Sequence, residues 1–143
     1  MVYTFLSKKF FEDHPQGAFP EMETKQNRPY VLVVVNLRGC RWGLPMRSNI
    51  KHNTCFWTDK ANRCGVDYTK AVLLDDERYL DKASRPYVRS HERQRLTGKE
   101  AVLANQFERY VHNYKQDFLS GKRQHSPASR FSTLQYYHKE IGL

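Results

Sequence analysis

Several features are scarce or missing in this sequence, and each absence excludes a class of protein. The 143 residues include three cysteines, an odd number without a Cys-x-x-Cys pair, which argues against a disulfide framework or a zinc ribbon. The longest apolar run, Val31 to Val35, is far shorter than the ~20 residues that cross a bilayer. No charged start leads into an apolar signal segment. These absences predict a cytoplasmic protein in a reducing compartment, with no membrane partner.

Motifs for metal and nucleophile chemistry are missing as well. His52, Cys55 and Cys64 lack the second ligand pair that a zinc site needs, so we expect no metal and no cofactor. The neighbouring acids 75–77 alternate between faces in a strand and cannot jointly hold one ion, so we interpret them as a solvated strand end. There is no phosphate-binding glycine loop, serine or cysteine triad signal, or zinc-protease motif. A metal-dependent nuclease is therefore disfavoured.

What the sequence does have is positive charge. It carries 24 Lys and Arg against 15 Asp and Glu, a formal charge of +9, which indicates a polyanionic partner. The excess is concentrated in residues 31–70, in seven basic residues: Arg38, Arg41, Arg47, Lys51, Lys60, Arg63 and Lys70. A second basic cluster, 85–95, fits a solvated surface equally well. Nucleic acid is the favoured partner.

The length and hydrophobic content fit one domain over residues 1–143. Apolar and β-branched runs predict strands at 2–6, 30–37, 41–46 and 71–74, with a further short one at 87–88, and a turn at Arg38-Gly39 closes a hairpin. Residues 12–29 are predicted to be a loop. Residues 47–65 are predicted to be a long, ordered loop of the kind that often carries function.

Two helices are predicted near the C-terminus. Thr97 to Glu100 has the capping-box pattern, and apolar residues then recur at three- and four-residue steps to a helix end near Gly121. Residues 120–130 are predicted to be a basic linker, and Ser132 to Gln135 repeats the capping pattern, with Phe131 placed to staple onto Tyr136. The expected fold class is α+β, an antiparallel sheet with two C-terminal helices.

The strongest candidate for chemistry is the segment PMRSNIKH at residues 45–52. RNA is cut without a metal when its 2′-OH attacks the adjacent phosphate, which requires a base, an acid and donors for the phosphorane charge. Arg47 is suited to bidentate phosphate contact, and Ser48 can donate to a non-bridging oxygen. Lys51 can neutralise developing charge or transfer a proton, and His52 can act as base or acid.

Further side chains are candidates for holding RNA. Phe56 and Trp57 can stack on single-stranded bases, while Lys60, Arg63 and Lys70 contact the backbone. The remaining predicted RNA contacts are Lys8, Lys9, Arg38, Arg41, Asn49, Thr58, Arg85 and Arg89. Each of these residues also has an ordinary interpretation as a surface charge, a turn residue or part of the core.

Motifs along the chain resemble those of a known family. The residues RPYVLVVVNLRGCRWGLPMRSNIKHNTCFWTDKANRCGVDYTKAVLL, followed by LTGKEAVLANQFERYV and FSTLQYY, are similar to the TenpN toxins of bacterial type III toxin–antitoxin systems. The combination of RSNIKH with FWTDKANRCGVDY is specific. The resemblance covers almost the whole chain apart from residues 12–28 and 119–129.

The resemblance implies a strongly bent antiparallel sheet core flanked by helices, as in the related ToxN, AbiQ and CptN toxins and the MazF-like endoribonucleases. It implies metal-independent cleavage of cellular or phage RNA to 2′,3′-cyclic phosphate and 5′-OH ends. The expected partner is a small repeat RNA antitoxin with a pseudoknot-like fold, which the toxin processes and which inhibits it within a cyclic toxin–RNA assembly. The biological roles implied are growth arrest, plasmid maintenance or phage defence.

By position, the Thr-Ser and nearby Lys of ToxN-like active sites match Arg47, Ser48 and Lys51. This chain has Arg in place of Thr, its lysine lies one residue later, and His52 is an added candidate. A catalytic tyrosine near the N-terminus of those toxins falls around Lys9 or Phe10 and is not matched. Two alternatives stay open: a non-catalytic RNA-binding module, and a DNA-binding repressor, although no helix-turn-helix pattern accompanies the long helix.

Overall fold

A computed structural model describes residues 1–22 and 30–143 of the chain. Seven strands occur within these residues: β1 Val2–Leu6, β2 Leu32–Leu37, β3 Cys40–Arg47, β4 Cys55–Asp59, β5 Cys64–Asp67, β6 Val72–Leu73 and β7 Leu80–Asp81. All the pairs are antiparallel, in the order β4-β5-β3-β2-β1-β7, and β6 also pairs with β3. The α+β fold expected from the sequence is confirmed.

The helices are α1 Lys8–Asp13, α2 Ser90–Leu96, α3 Glu100–Leu119 and α4 Pro127–Arg130, joined by short 3-10 turns that include Thr133–Tyr136. α3 packs against β2 through its predicted apolar stripe, and Phe107 stands edge-on to buried Trp42, with ring centroids 5.3 Å apart. No helix in the described ranges has the length and apolarity needed to cross a membrane.

The β2–β3 hairpin forms as predicted, and its turn explains why. Arg38 and Gly39 both have positive φ, 51° and 78°, which is the backbone that a two-residue hairpin turn requires. Gly39 adopts this conformation without steric cost. The hairpin is the centre of the sheet, because β3 pairs with β2 along one edge and with β6 and then β5 along the other.

Several local predictions are wrong. The predicted loop over 47–65 contains β4, a 3-10 turn at Lys60–Asn62 and the start of β5, so a hairpin stands where a long loop was expected. The predicted strand at 87–88 is absent from the described residues, and the edge strand is β7 instead. Residues 12–13 end α1, residues 16–22 form turns and bends, and 23–29 of the predicted loop lie outside the described residues.

The C-terminal predictions are partly right. α3 starts at Glu100 as expected, but its N-cap is Lys99, with no side-chain cap, and the Thr97 hydroxyl donates to Arg93 O in the last turn of α2. Residues 120–130 contain α4 and a 3-10 turn as well as connecting chain. Ser132 does cap the final helical turn, accepting from Leu134 N at 3.0 Å.

Gly65 allows β4 and β5 to lie close together. A β-carbon there would lie 2.5 Å from the Phe56 backbone oxygen. Because that oxygen belongs to the paired strand β4, the two strands would have to move apart to relieve the clash. We expect Gly65→Ala to lower the free energy of unfolding by about 1–3 kcal/mol through overpacking, measured by urea denaturation. Gly17→Ala is the control, since a β-carbon at Gly17 meets nothing within 4 Å. Equal stability of the two variants would contradict this packing argument.

Candidate functional site

The centre of the candidate site is a buried carboxylate, Asp67, at the end of β5. Its side chain is fully buried and accepts from Arg47 Nη1 at 2.6 Å and from His52 Nε2 at 3.3 Å. It also accepts from the hydroxyl and backbone N–H of Thr69, at 2.6 and 2.9 Å. The strand register explains the meeting with Arg47: Arg47 lies opposite Gly65, and Asp67 is the diagonal neighbour on the same face.

Asp67 remains ionised at neutral pH. Burial acts to raise the pKa of this carboxyl, but hydrogen bonds from His52 and Thr69, together with Arg47, outweigh it and hold the pKa below its usual range. The side chain of Arg47 is 22% exposed, so the buried anion fixes a guanidinium that still reaches the surface. Asp67 therefore fixes the orientation of the Arg47 guanidinium, so that the guanidinium is already in place when a ligand binds.

Both ring nitrogens of His52 are occupied. Nδ1 accepts from the backbone N–H of Thr54 at 3.1 Å, so the network assigns the proton to Nε2, which donates to Asp67. In this arrangement the ring offers no lone pair to a neighbouring substrate. To accept a proton, His52 must first release the Thr54 N–H.

Arg63 holds the loop that carries Ser48, Asn49 and Lys51. Its guanidinium donates to the backbone oxygens of Ile50 and His52, and it stacks over the Trp57 ring at 4.8 Å from the centroid. Ile50 N–H in turn donates to Arg63 O at 3.0 Å, and the Ile50 side chain is buried. This anchoring leaves Ser48, Asn49 and Lys51 exposed at the surface.

A groove of about 340 Å³ lies beside Arg47 and Ser48. It is lined by the end of β3 and by residues 87–92, which lead into α2 and form its first turn. The Tyr30 ring lies 6.0 Å from the Arg47 guanidinium, and Tyr87 is 79% exposed. The lining residues are Tyr30, Val31, Met46, Arg47, Ser48, Cys64, Tyr87, Val88, Arg89 and Glu92. A guanidinium, a hydroxyl and two tyrosines therefore line one groove.

Other predicted RNA contacts lie elsewhere or are engaged within the protein. Arg38 and Arg41 pair with Glu108 and Glu77, at 3.0 and 2.7 Å. Arg38 precedes the start of β3 and Arg47 is its last residue, so the two lie at opposite ends of the strand.

Some of the remaining predicted RNA contacts bind other groups of the protein, and others are exposed to solvent. Thr58 is buried and donates to Glu92, while Lys70 donates to two backbone oxygens, Glu21 O at 3.1 Å and Phe131 O at 3.0 Å. Lys9 pairs with Asp13, and Phe56 packs against the core. The accessible residues are Lys8, Lys60 and Arg85, and Arg85 lines a separate cavity.

The residues that organise the site were not predicted from the sequence. A local signal for Asp67 exists, because Asp67-Tyr68-Thr69 has the pattern in which an aspartate caps the backbone N–H two residues on. Tyr30, Tyr87 and Glu92 were also missed. Their sequence positions carry no such local signal, because they come together only through the fold.

The three cysteines are free thiols, of which Cys40 and Cys55 are half-buried and Cys64 is buried. Burial, with the Asp67 charge, raises the pKa of Cys55 to about 12, and burial raises that of Cys64. Both are protonated at neutral pH. Among the described residues, no three His, Cys, Asp or Glu side chains are grouped as metal ligands.

Comparison with known proteins gives a structural relative. No protein-family model and no curated protein matches the sequence. A solved structure described as "A processed non-coding RNA regulates a bacterial antiviral system" contains a chain that superposes with a TM-score of 0.56. The two chains share a fold. The match covers 96% of this chain and 98% of the other at 14% sequence identity, so the likeness extends over the whole architecture, including the C-terminal helices.

Proposed function

We propose that this chain is an endoribonuclease toxin of a type III toxin–antitoxin system, similar to the TenpN toxins. The observation that carries the proposal is the guanidinium of Arg47, held by buried Asp67 at an open groove beside the Ser48 hydroxyl. The shared fold supports it, because the related chain comes from an antiviral system that a processed non-coding RNA regulates. The charge of +9 supports an RNA partner.

In the proposed reaction the RNA 2′-OH attacks the adjacent phosphorus, and the 5′-oxygen of the next nucleotide leaves as a hydroxyl. Arg47 binds the non-bridging oxygens and stabilises the phosphorane charge, and Ser48 donates a hydrogen bond to it. Lys51 adds positive charge from the same loop. Proton transfer falls to Lys51 or His52, and His52 takes part only when its Nδ1 releases the Thr54 N–H.

The proposed regulator is a small repeat RNA that binds over this groove. A folded, pseudoknot-like RNA presents closely spaced phosphates, which the exposed Lys51, Lys60 and Arg89 can contact. Processing of the antitoxin precursor and a cyclic toxin–RNA assembly in the cytoplasm belong to the same proposal. The substrates are cellular or phage RNA.

One observation favours a second candidate, an RNA-binding module without catalysis. The occupied nitrogens of His52 give it a structural role in the loop, which leaves fewer groups for proton transfer. Such a module would bind RNA in the same groove and would leave it intact.

A cleavage assay in excess EDTA tests the proposal. Purified protein is incubated with mixed RNA beside Lys51→Ala, His52→Ala and, as control, Arg38→Ala, whose side chain pairs with Glu108 beyond the far end of β3. We expect 2′,3′-cyclic phosphate and 5′-OH ends from the wild type and Arg38→Ala, and a loss of cutting in at least one of the other two variants. Binding without cutting, in EDTA and in added magnesium, would instead support the RNA-binding module.

A further inference from the structure

The groove wall contains a second buried carboxylate, Glu92, that the proposed cleavage reaction does not use. The Glu92 side chain is 9% exposed, and one oxygen accepts the hydroxyl hydrogen of Thr58. The other oxygen lies 3.8 Å from Arg89 Nε, the nearest cation among the described residues, which is too far for a hydrogen bond. Within the described part of the chain, Thr58 is thus the one hydrogen-bond donor to Glu92.

The Glu92 carboxylate has more acceptor capacity than the described residues satisfy. An ionised carboxylate is acceptor-only, with about four lone-pair sites, and a buried one needs donors to offset its lost hydration. Glu92 has one neutral donor and one loosely placed cation at a groove that is open to ligands. A ligand that brings two N–H donors would complete its hydrogen bonding.

The rest of the groove is suited to a flat ring. Val31, Met46 and Val88 supply apolar surface, and the tyrosines at positions 30 and 87 supply aromatic surface. Single-stranded RNA bases are held by such contacts, and sequence is read from hydrogen bonds to their edges. Because Arg47 lies in the same groove, a base seated there belongs to a nucleotide whose phosphate is close to the cleavage site.

We propose that Glu92 reads a guanine base of the RNA substrate, accepting its N1–H and N2–H groups in a bidentate pair. Guanine alone among the four bases presents two adjacent donors on its Watson–Crick edge. Adenine and cytosine each have a ring nitrogen acceptor beside their amino group, and uracil has a carbonyl on each side of its single N–H. Each of these three bases would therefore place an acceptor next to one carboxylate oxygen, which is repulsive. The inference rests on the proposed function, because it assumes that RNA occupies the groove, and it adds guanine selectivity at that site.

Binding to uncleavable RNA tests the inference independently of cutting. The probes are fluorescent 2′-fluoro hexanucleotides of uridine that carry one guanine, inosine or adenine; with no 2′-OH they cannot be cut. For the wild type we expect the guanine probe to bind about five-fold or more tightly than the inosine or adenine probe, since about five-fold is the lower end of the discrimination by a bidentate pair. Inosine lacks only the 2-amino group, so it tests one of the two hydrogen bonds without any change to the protein.

The matched variant is Glu92→Gln, which keeps an acceptor for Thr58 but replaces one oxygen with a donor. We expect its guanine preference to disappear, and Glu108→Gln, a partner of Arg38 on α3, to keep the wild-type preference. Equal binding of the three probes by the wild type, or an unchanged preference in Glu92→Gln, would overturn the inference. Guanine selectivity without any RNA cutting would instead leave the inference standing and count against the nuclease proposal.

Discussion

Replacement of Asp67 by Asn is expected to lower the free energy of unfolding by about 3 kcal/mol or more and to abolish RNA cleavage. Asn keeps the shape and can still accept from Thr69, but it removes the charge that Arg47 and His52 face. Removing one partner of a buried ion pair typically costs about 3–5 kcal/mol, because the other charge is left uncompensated. Urea denaturation at pH 7 measures the change.

The control for this prediction is Asp75→Asn. Asp75 is exposed near the edge of the sheet, so the same chemical change there should alter stability by no more than about 0.5 kcal/mol. If both variants unfolded at the same urea concentration, Asp67 would not be the organising charge of the site.

The stability contributed by Asp67 also has a defined pH dependence. The folded-state pKa of its carboxyl lies below the unfolded value, so this contribution is full above the unfolded pKa and is lost as the pH falls through the folded one. The gap in stability between the wild type and Asp67→Asn should therefore be constant near neutrality and shrink below about pH 4. A gap that stayed unchanged down to pH 2 would show that ionisation of Asp67 is not its source.

Arg47→Lys is expected to reduce kcat/KM for RNA cleavage by about 10²–10³-fold, although it preserves the charge. Removal of one donor to a developing transition-state charge has an effect of that size in other enzymes. A lysine ammonium can still reach Asp67, but it lacks the planar fork that binds a carboxylate on one side and phosphate oxygens on the other. The loss should fall mainly on kcat, since positive charge near the substrate is retained.

The matched control is Arg41→Lys. Arg41 is on the same strand and pairs with Glu77 at 2.7 Å, but it does not line the groove at Arg47. Its cleavage rate should stay within about two-fold of the wild type, in line with the small effect of an exposed ion pair. An equal loss in both variants would mean that overall charge, and not the Arg47 guanidinium, limits the reaction.

The parts of the fold that could be predicted from sequence are those with strong local patterns. The β2–β3 hairpin has a β-branched run and a glycine turn, and α3 has an apolar stripe at helical spacing. The β4–β5 hairpin was missed because Cys55–Asp59 and Cys64–Asp67 mix polar, aromatic and small residues without alternation. α2 was missed because its seven residues bury only Glu92 and Leu96, which is too little for a recognisable stripe.

The candidate site shows the same limit. Arg47 and Ser48 could be proposed from the sequence because they are adjacent at the end of a strand. Asp67 was missed as the partner of Arg47, because the strand register that places it diagonal to Arg47 cannot be derived from composition. The capping-box pattern at Thr97 was misleading for a local reason. α2 ends there, and the Thr97 hydroxyl donates to the Arg93 backbone oxygen in its last turn, so it does not cap α3.

The ion pairs of the central hairpin have a consequence for how RNA approaches the protein. Arg38 and Arg41 are each neutralised by a carboxylate, whereas Lys51 and Lys60 form no ion pair within the described residues. Of these four cations, the two that can still attract a polyanion without breaking an ion pair therefore lie after β3 and not at the hairpin turn. The dependence of the association rate on salt concentration should then weaken more when Lys51 or Lys60 is replaced than when Arg38 or Arg41 is.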